Sequence, residues 1–170
     1  MKYIVCEKPG EFVLKEKKAP KRKEGEALLQ INKVGICGTD LHAYAGNQEF
    51  FTYPRILGHE LASEVLEIGE NDRGIKVGDK VVVMPYISDP NSVASRNGKP
   101  NCCPNISVLG VHGDGGMQEK ITVPVDTDVE KIEVMIDTLK AQAKDYGLTL
   151  EALIHKKDSK DKKKKKNKNK

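Results

Sequence analysis

The stretch GICGTDLHAYAG, Gly35 to Gly46, sets a thiol (Cys37), a hydroxyl (Thr39), a carboxylate (Asp40) and an imidazole (His42) close together. Its composition predicts one short helix, with Thr39 or Asp40 as N-cap and Gly46 as the stop. Cys37 is bracketed by Gly35 and Gly38 at the helix entrance, where backbone N–H groups favour a thiolate. About twenty residues further on, PRILGHELASEVLEIG (Pro54 to Gly69) adds His59 and Glu60 after Gly58, at the start of an expected strand. Thiolate, imidazole and carboxylate are the ligand types that zinc takes. Taken singly, a cysteine is as readily a small core residue and a histidine a surface one.

The surroundings are rich in β signals. Short alternating or β-branched runs occur in KYIVCE, EFVLKEK, EALLQINKVGI, ELASEVLEIG, DKVVVMP and QEKITVPV, separated by turns such as KPGE, KEGE, KVGD and HGDGG. Many short strands with this punctuation predict a barrel or sandwich rather than a doubly wound sheet. Beyond Val125 the period changes. Val129, Ile132, Ile136, Leu139, Ala143 and Tyr146 follow one another in steps of three and four, a helical stripe close to a heptad seam. Thr127 or Asp128 can cap its start and Gly147 its end. A second short helix is expected at Leu150 to Ile154.

In this order, GICGTDLH, then GHE, then VGDKVVVMP and GDGGMQEKITVP resemble the zinc-dependent medium-chain alcohol and polyol dehydrogenases. The sorbitol- and threonine-dehydrogenase-like branch is the most similar, and the resemblance covers about residues 1–125. It implies a mainly β fold, a GroES-like partly open β-barrel with short helices, followed here by a C-terminal amphipathic helix. It also implies that Cys37 and His59 ligate a catalytic zinc, with Glu60 as an alternating or outer carboxylate. Asp40 would orient His59 from behind. Thr39 and His42 would relay the substrate proton to solvent. The implied substrate is a small alcohol or polyol, and the implied oxidant NAD(P).

The resemblance also exposes what the chain does not repeat. In that family a Rossmann domain with a Gly-rich fingerprint follows the catalytic domain, whereas no GxGxxG or GxxxxGK[ST] segment occurs here. The third zinc ligand of the family has no counterpart near the break, although Glu130 or Glu133 could stand in. Residues 1–126 are therefore expected to be the catalytic domain, 127–155 a helical appendage and 156–170 a disordered tail. The reading is a truncated or chimeric catalytic domain that holds zinc weakly and is inactive alone. A co-chaperonin would share the barrel but has no use for the GICGTDLH and GHE strings.

The loop ISDPNSVASRNGKPNCC, Ile87 to Cys103, lies where many relatives carry a structural zinc lobe with four cysteines spaced C-x2-C-x2-C-x7-C. Counting back from Cys103, the other three positions are Ser95, Ser92 and Asp89. One thiolate is too few for a structural zinc, and a vicinal Cys102–Cys103 disulfide would be strained. The lobe is expected to be metal-free and mobile.

Charge divides the chain. Residues 156–170 hold ten Lys against Asp158 and Asp161, a local +8, which leaves 19 basic and 23 acidic residues before them. Such a block stays solvated. It is either a solubilising tail or a contact for non-specific nucleic acid. The 129–146 stripe could self-associate, although packing on the barrel is the commoner use of such a helix. AKDYGLTLEALI is also similar, over about a dozen residues, to bacterial nucleoid proteins of the H-NS type. This supports a second reading, a non-enzymatic assembly or nucleic-acid-binding module. The four cysteines lack the spacing of a secreted framework, no apolar run could span a membrane, and no signal peptide is evident, so a cytoplasmic setting is expected.

Overall fold

Each of the six runs read as strands becomes one. The computed structural model describes residues 1–49, 51–125, 129–132, 136–137, 140–141 and 144. Strands β1 (Lys2–Lys8) and β2 (Glu11–Glu16) form an antiparallel hairpin. Then come β3 (Glu26–Gly35), helix α1 (Gly38–Ala45), β4 (Glu60–Ile68) and β5 (Lys80–Val83). A second small pair, β6 (Tyr86–Ile87) and β7 (Ser107–Val108), flanks the short helix α2 (Val93–Arg96). The described strands end with β8 (Lys120–Pro124) and β9 (Val129–Lys131). The main sheet is antiparallel throughout, in the order β8-β3-β4-β5-β9.

One face of that sheet supplies the core. Ala27, Leu29, Leu61, Val65, Val81, Val83, Ile121, Val123 and Val129 are buried against one another. Complete burial of a valine or leucine contributes about 1.5–3 kcal/mol. Two register shifts between β3 and β4, at Leu28/Leu29 and Ile31/Lys33, bend the long central strand. Leu28 and Leu29, on either side of the first shift, are both buried. A second cluster, Cys6, Ala43 and Leu57 with Phe51, Tyr53 and Met117, fastens α1 beneath the hairpin. The Tyr53 hydroxyl donates to the Ala43 carbonyl there.

The helix expected to start at Val129 starts later. Val129–Lys131 is strand β9, paired with β5 as Val83↔Val129, Val82↔Glu130 and Val81↔Lys131. A free β5 edge would leave its backbone groups unpaired, whereas three residues of strand satisfy them and bury Val129 completely. Lys131 Nζ adds an ion pair to Asp79 at 2.9 Å, and Arg73 donates to the Val129 carbonyl at 2.9 Å. Helix nucleation has no comparable return at this point. The heptad count included Val129 because a strand residue and a helix residue look alike when only apolarity is read.

The compact unit formed by Met1–Lys131 ends there, and a separate unit begins at Ile132. In the latter, Ile132, Ile136, Asp137, Lys140, Ala141 and Lys144 are helical, with Lys140 paired to Asp137. Leu139, Ala143 and Tyr146 of the stripe, the helix expected at Leu150 to Ile154 and the 156–170 tail lie outside the described residues. Among the described residues no helix is long and apolar enough to cross a membrane.

Candidate metal centre

Strands β3 and β4 set the two ligand-bearing segments side by side. Gly35, the last residue of β3, is paired with Glu60, the first of β4. Two residues beyond Gly35 stands Cys37, and one residue before Glu60 stands His59. Both therefore lie at the same end of the same strand pair. Cys37 Sγ is 3.0 Å from His59 Nε2. The donor atoms of Cys37, Asp40 and His59 all fall within 4.8 Å of one another.

Asp40 holds this arrangement through the backbone. It is buried, and its Oδ2 accepts the N–H of Cys37 at 3.0 Å while its Oδ1 accepts the N–H of Gly58 at 3.1 Å. The sequence led us to expect Asp40 behind His59. It is there, but Oδ1 stands 4.0 Å from His59 Nδ1, beyond a hydrogen bond. The N-cap of α1 is Cys37 rather than Thr39 or Asp40, and Asp40 occupies the third helical position instead. Gly46 ends the helix in the left-handed conformation, as expected.

Gly58 is fixed by two constraints. Its φ is +90°, and a Cβ there would come within 2.8 Å of Val34 Cγ1. The other wall is the Gly115–Met117 segment, whose N–H groups donate to the carbonyls of Ile56, Gly58 and Leu57. This support for the His59 loop was visible in the sequence only as a Gly-rich turn.

The remaining site residues are placed less tightly. Glu60 is exposed and lies outside the three-residue group. Its Oε2 rests over Gly35, 2.3 Å from where a Cβ would stand. Thr39 is half-buried in the first turn of α1. His42 is exposed, with Nδ1 3.0 Å from Asn47 Oδ1. Nδ1 can donate to that amide oxygen in the tautomer that leaves Nε2 free to accept a hydrogen bond. Glu130 lies in β9 and is half-buried, and Glu133 lies outside the described residues.

The donor set fits a zinc ion. A thiol and an imidazole nitrogen converge with a buried carboxylate behind them. His59 Nδ1 is buried without a hydrogen-bond partner, which is the position that an outer carboxylate serves when Nε2 binds metal.

Comparison with known proteins agrees with this reading of the fold. The model of the alcohol dehydrogenase GroES-like domain matches residues 23–133. That match continues past Asp126 to take in β9. The chain is 47% identical over 125 residues to L-galactonate-5-dehydrogenase of Escherichia coli K12, covering 74% of this chain and 37% of the relative. It is 42% identical over 125 residues to an L-threonine 3-dehydrogenase of Pyrococcus horikoshii, covering 71% and 36%. Among solved structures, a short chain alcohol dehydrogenase of E. coli CFT073 complexed with NADH superimposes with TM-score 0.71 at 37% identity, over 80% of this chain and 39% of that one. Galactitol-1-phosphate dehydrogenase of E. coli gives TM-score 0.71 at 27% identity, over 77% and 38%. The chain thus spans little more than a third of the length of these relatives.

Proposed function

The chain belongs to the alcohol dehydrogenase GroES-like domain family, and from that premise we propose that its barrel is the catalytic portion of a zinc-dependent, NAD(P)-linked alcohol or polyol dehydrogenase. The observation that carries the proposal is the 3.0 Å approach of Cys37 Sγ to His59 Nε2, with Asp40 clamping both loops. Cys37 and His59 would hold the zinc, with Glu60 beside them as an exchangeable carboxylate. Bound there, zinc supplies Lewis acidity that acidifies a substrate hydroxyl.

The chain's own residues do the rest. Thr39, in the first turn of α1, would accept the hydroxyl proton while releasing its own toward His42. His42, exposed and oriented by Asn47, passes it from Nε2 to solvent. Asp40 keeps both ligand loops in register without itself reacting. The hydride acceptor would be a nicotinamide cofactor, and among the described residues no segment is assigned to hold it. The working assignment is a catalytic domain over 1–126 extended by β9, a helical appendage to residue 155 and a Lys-rich tail over 156–170. The relatives' names favour a polyhydroxylated substrate. A reducing, cytoplasmic setting suits four free cysteines.

Metal analysis tests this. About one zinc per chain is expected, as for a single catalytic site, and it should be lost in both Cys37→Ala and His59→Ala. Zinc retained by both variants would overturn the assignment. NAD-linked turnover on a polyol panel should be absent from this chain alone. Robust turnover would overturn the division of labour while leaving the metal assignment standing.

A further inference from the structure

Gly35 closes β3, and its backbone does not ask for a glycine. Its φ lies outside the left-handed region, so an L side chain would suit the local conformation. What excludes a side chain is Glu60, its partner in β4. A Cβ on Gly35 would stand 2.9 Å from Glu60 Cβ and 3.3 Å from Glu60 Cδ, and nearer still to Oε2. Opposed Cβ atoms in an antiparallel pair are ordinarily about 4.5–5.5 Å apart. The three nearest atoms all belong to Glu60, so the space left by the missing Cβ is the space that its side chain occupies.

The carboxylate resting there is held by nothing else. Glu60 is exposed, and among the described residues it makes no hydrogen bond and no ion pair. Asp40 differs in this respect, since each of its oxygens accepts a backbone N–H. One carboxylate beside the candidate metal centre is fixed and the other is only parked. Glu60 follows His59 directly, and Gly35 lies two residues before Cys37, so the resting place borders both ligand loops.

We propose that Gly35 is a positioning residue: its bare Cα gives the Glu60 carboxylate a resting place off the Cys37–Asp40–His59 cluster, and a side chain there would send that carboxylate to the metal. The inference rests on the reading of Cys37 and His59 as zinc ligands. A catalytic zinc needs an open position for the substrate oxygen. A carboxylate kept on the ion would fill that position and offset the charge that acidifies the substrate hydroxyl. Displaced from Gly35, an unbonded carboxylate beside a cation is drawn to it. Gly35 therefore favours an open, acidic metal over a tightly bound one.

The test strips metal from the full chain and titrates zinc and cobalt(II) into the unaltered protein, Gly35→Ala, Glu60→Gln and the double variant, with a chromogenic chelator as competitor. Gly35→Ala should bind zinc more tightly by about fivefold or more, within the coupling range of residues in contact. Its cobalt spectrum should shift with the change of ligand. Both effects should disappear when Glu60→Gln is added. Tighter binding that survives Glu60→Gln would overturn the proposal while the zinc assignment stands, as would an affinity that Gly35→Ala leaves unaltered or lowers. No binding by the unaltered chain would overturn the assignment and the proposal together. Should Gly35→Ala fail to fold, adding Glu60→Gly should restore the fold by clearing the space. A double variant that stays unfolded would overturn the proposal, because Gly35 would then answer to something other than Glu60.

Discussion

Asp40 accepts the backbone N–H of Cys37 and the backbone N–H of Gly58 on its two carboxylate oxygens, so one buried side chain ties the entrance of α1 to a loop residue 18 positions beyond Asp40 itself. Asp40→Ala leaves both amides without a partner. Hydrogen bonds to a charged group contribute about 1.5–3 kcal/mol each. We expect Asp40→Ala to lower stability by roughly 3 kcal/mol and zinc affinity by about 10–100-fold. Urea unfolding and competition with a chromogenic chelator give the two numbers. Asp40→Asn, which keeps one acceptor oxygen, should fall between the two.

Gly58→Ala should be costly for a different reason. A side chain at φ +90° is strained, and its Cβ would stand 2.8 Å from Val34 Cγ1. We expect a loss of about 1–3 kcal/mol, read as a lower melting temperature, together with zinc loss because His59 is the next residue. Gly74 is also left-handed, but nothing lies within 4 Å of a Cβ there. Gly74→Ala should therefore cost less.

Strand β9 offers a test of the chain beyond Val125. Val129 is fully buried, and Val129→Ala should cost about 2 kcal/mol through the lost methyl groups and the cavity left behind. Were the segment helical and solvated, the same change would be neutral. Thermal melts of the full chain distinguish these results.

The ion pair beneath β9 should appear in the acid limb of stability. The Lys131 ammonium, with the Lys76 backbone N–H, holds the Asp79 carboxyl below its ordinary value of 3.8. A carboxyl with a depressed native pKa stabilises fully above its unfolded pKa and progressively loses that contribution as pH falls through the lower, native one. Lys131→Ala should therefore flatten the stability–pH curve below about pH 4, with little change in its shape between pH 6 and pH 8. An unchanged acid limb would remove Lys131 as the cause.

The second reading, nucleic-acid binding through the tail, is separable by deletion. Removing residues 156–170 takes away ten lysines. Any DNA affinity should vanish with them, and before deletion it should fall steeply with salt and be uniform across sequences. Affinity that survives deletion would point to a surface on the barrel instead.

Sequence carried most of the barrel and singled out residues that the structure brings together as a candidate metal site. Strands β1, β2, β3, β4, β5 and β8 were legible because their runs of β-branched and alternating residues fall between Gly- and Pro-bearing turns. Cys37, Asp40 and His59 were legible through residue type and spacing. Glu60, equally legible by type, does not join their cluster, because its side chain rests over Gly35. Strand β9 was hidden, since three residues give no period and only the bare edge of β5 decides their conformation. The β6–β7 neck was hidden too, at two residues per strand. Asp40 as a backbone clamp could not be read at all, because it depends on Gly58 arriving from the loop before β4.

The sheet order has a further consequence, for synthesis. Strand β3 lies between β4 and β8, and Glu26 of β3 pairs with Pro124. One edge of the longest strand thus stays bare until the segment around Lys120–Pro124 has left the ribosome. At about 5–20 residues per second that interval lasts several seconds. The nascent chain spends them as an open, sticky sheet, and its yield in cells should depend on chaperone capacity more than its final stability would suggest.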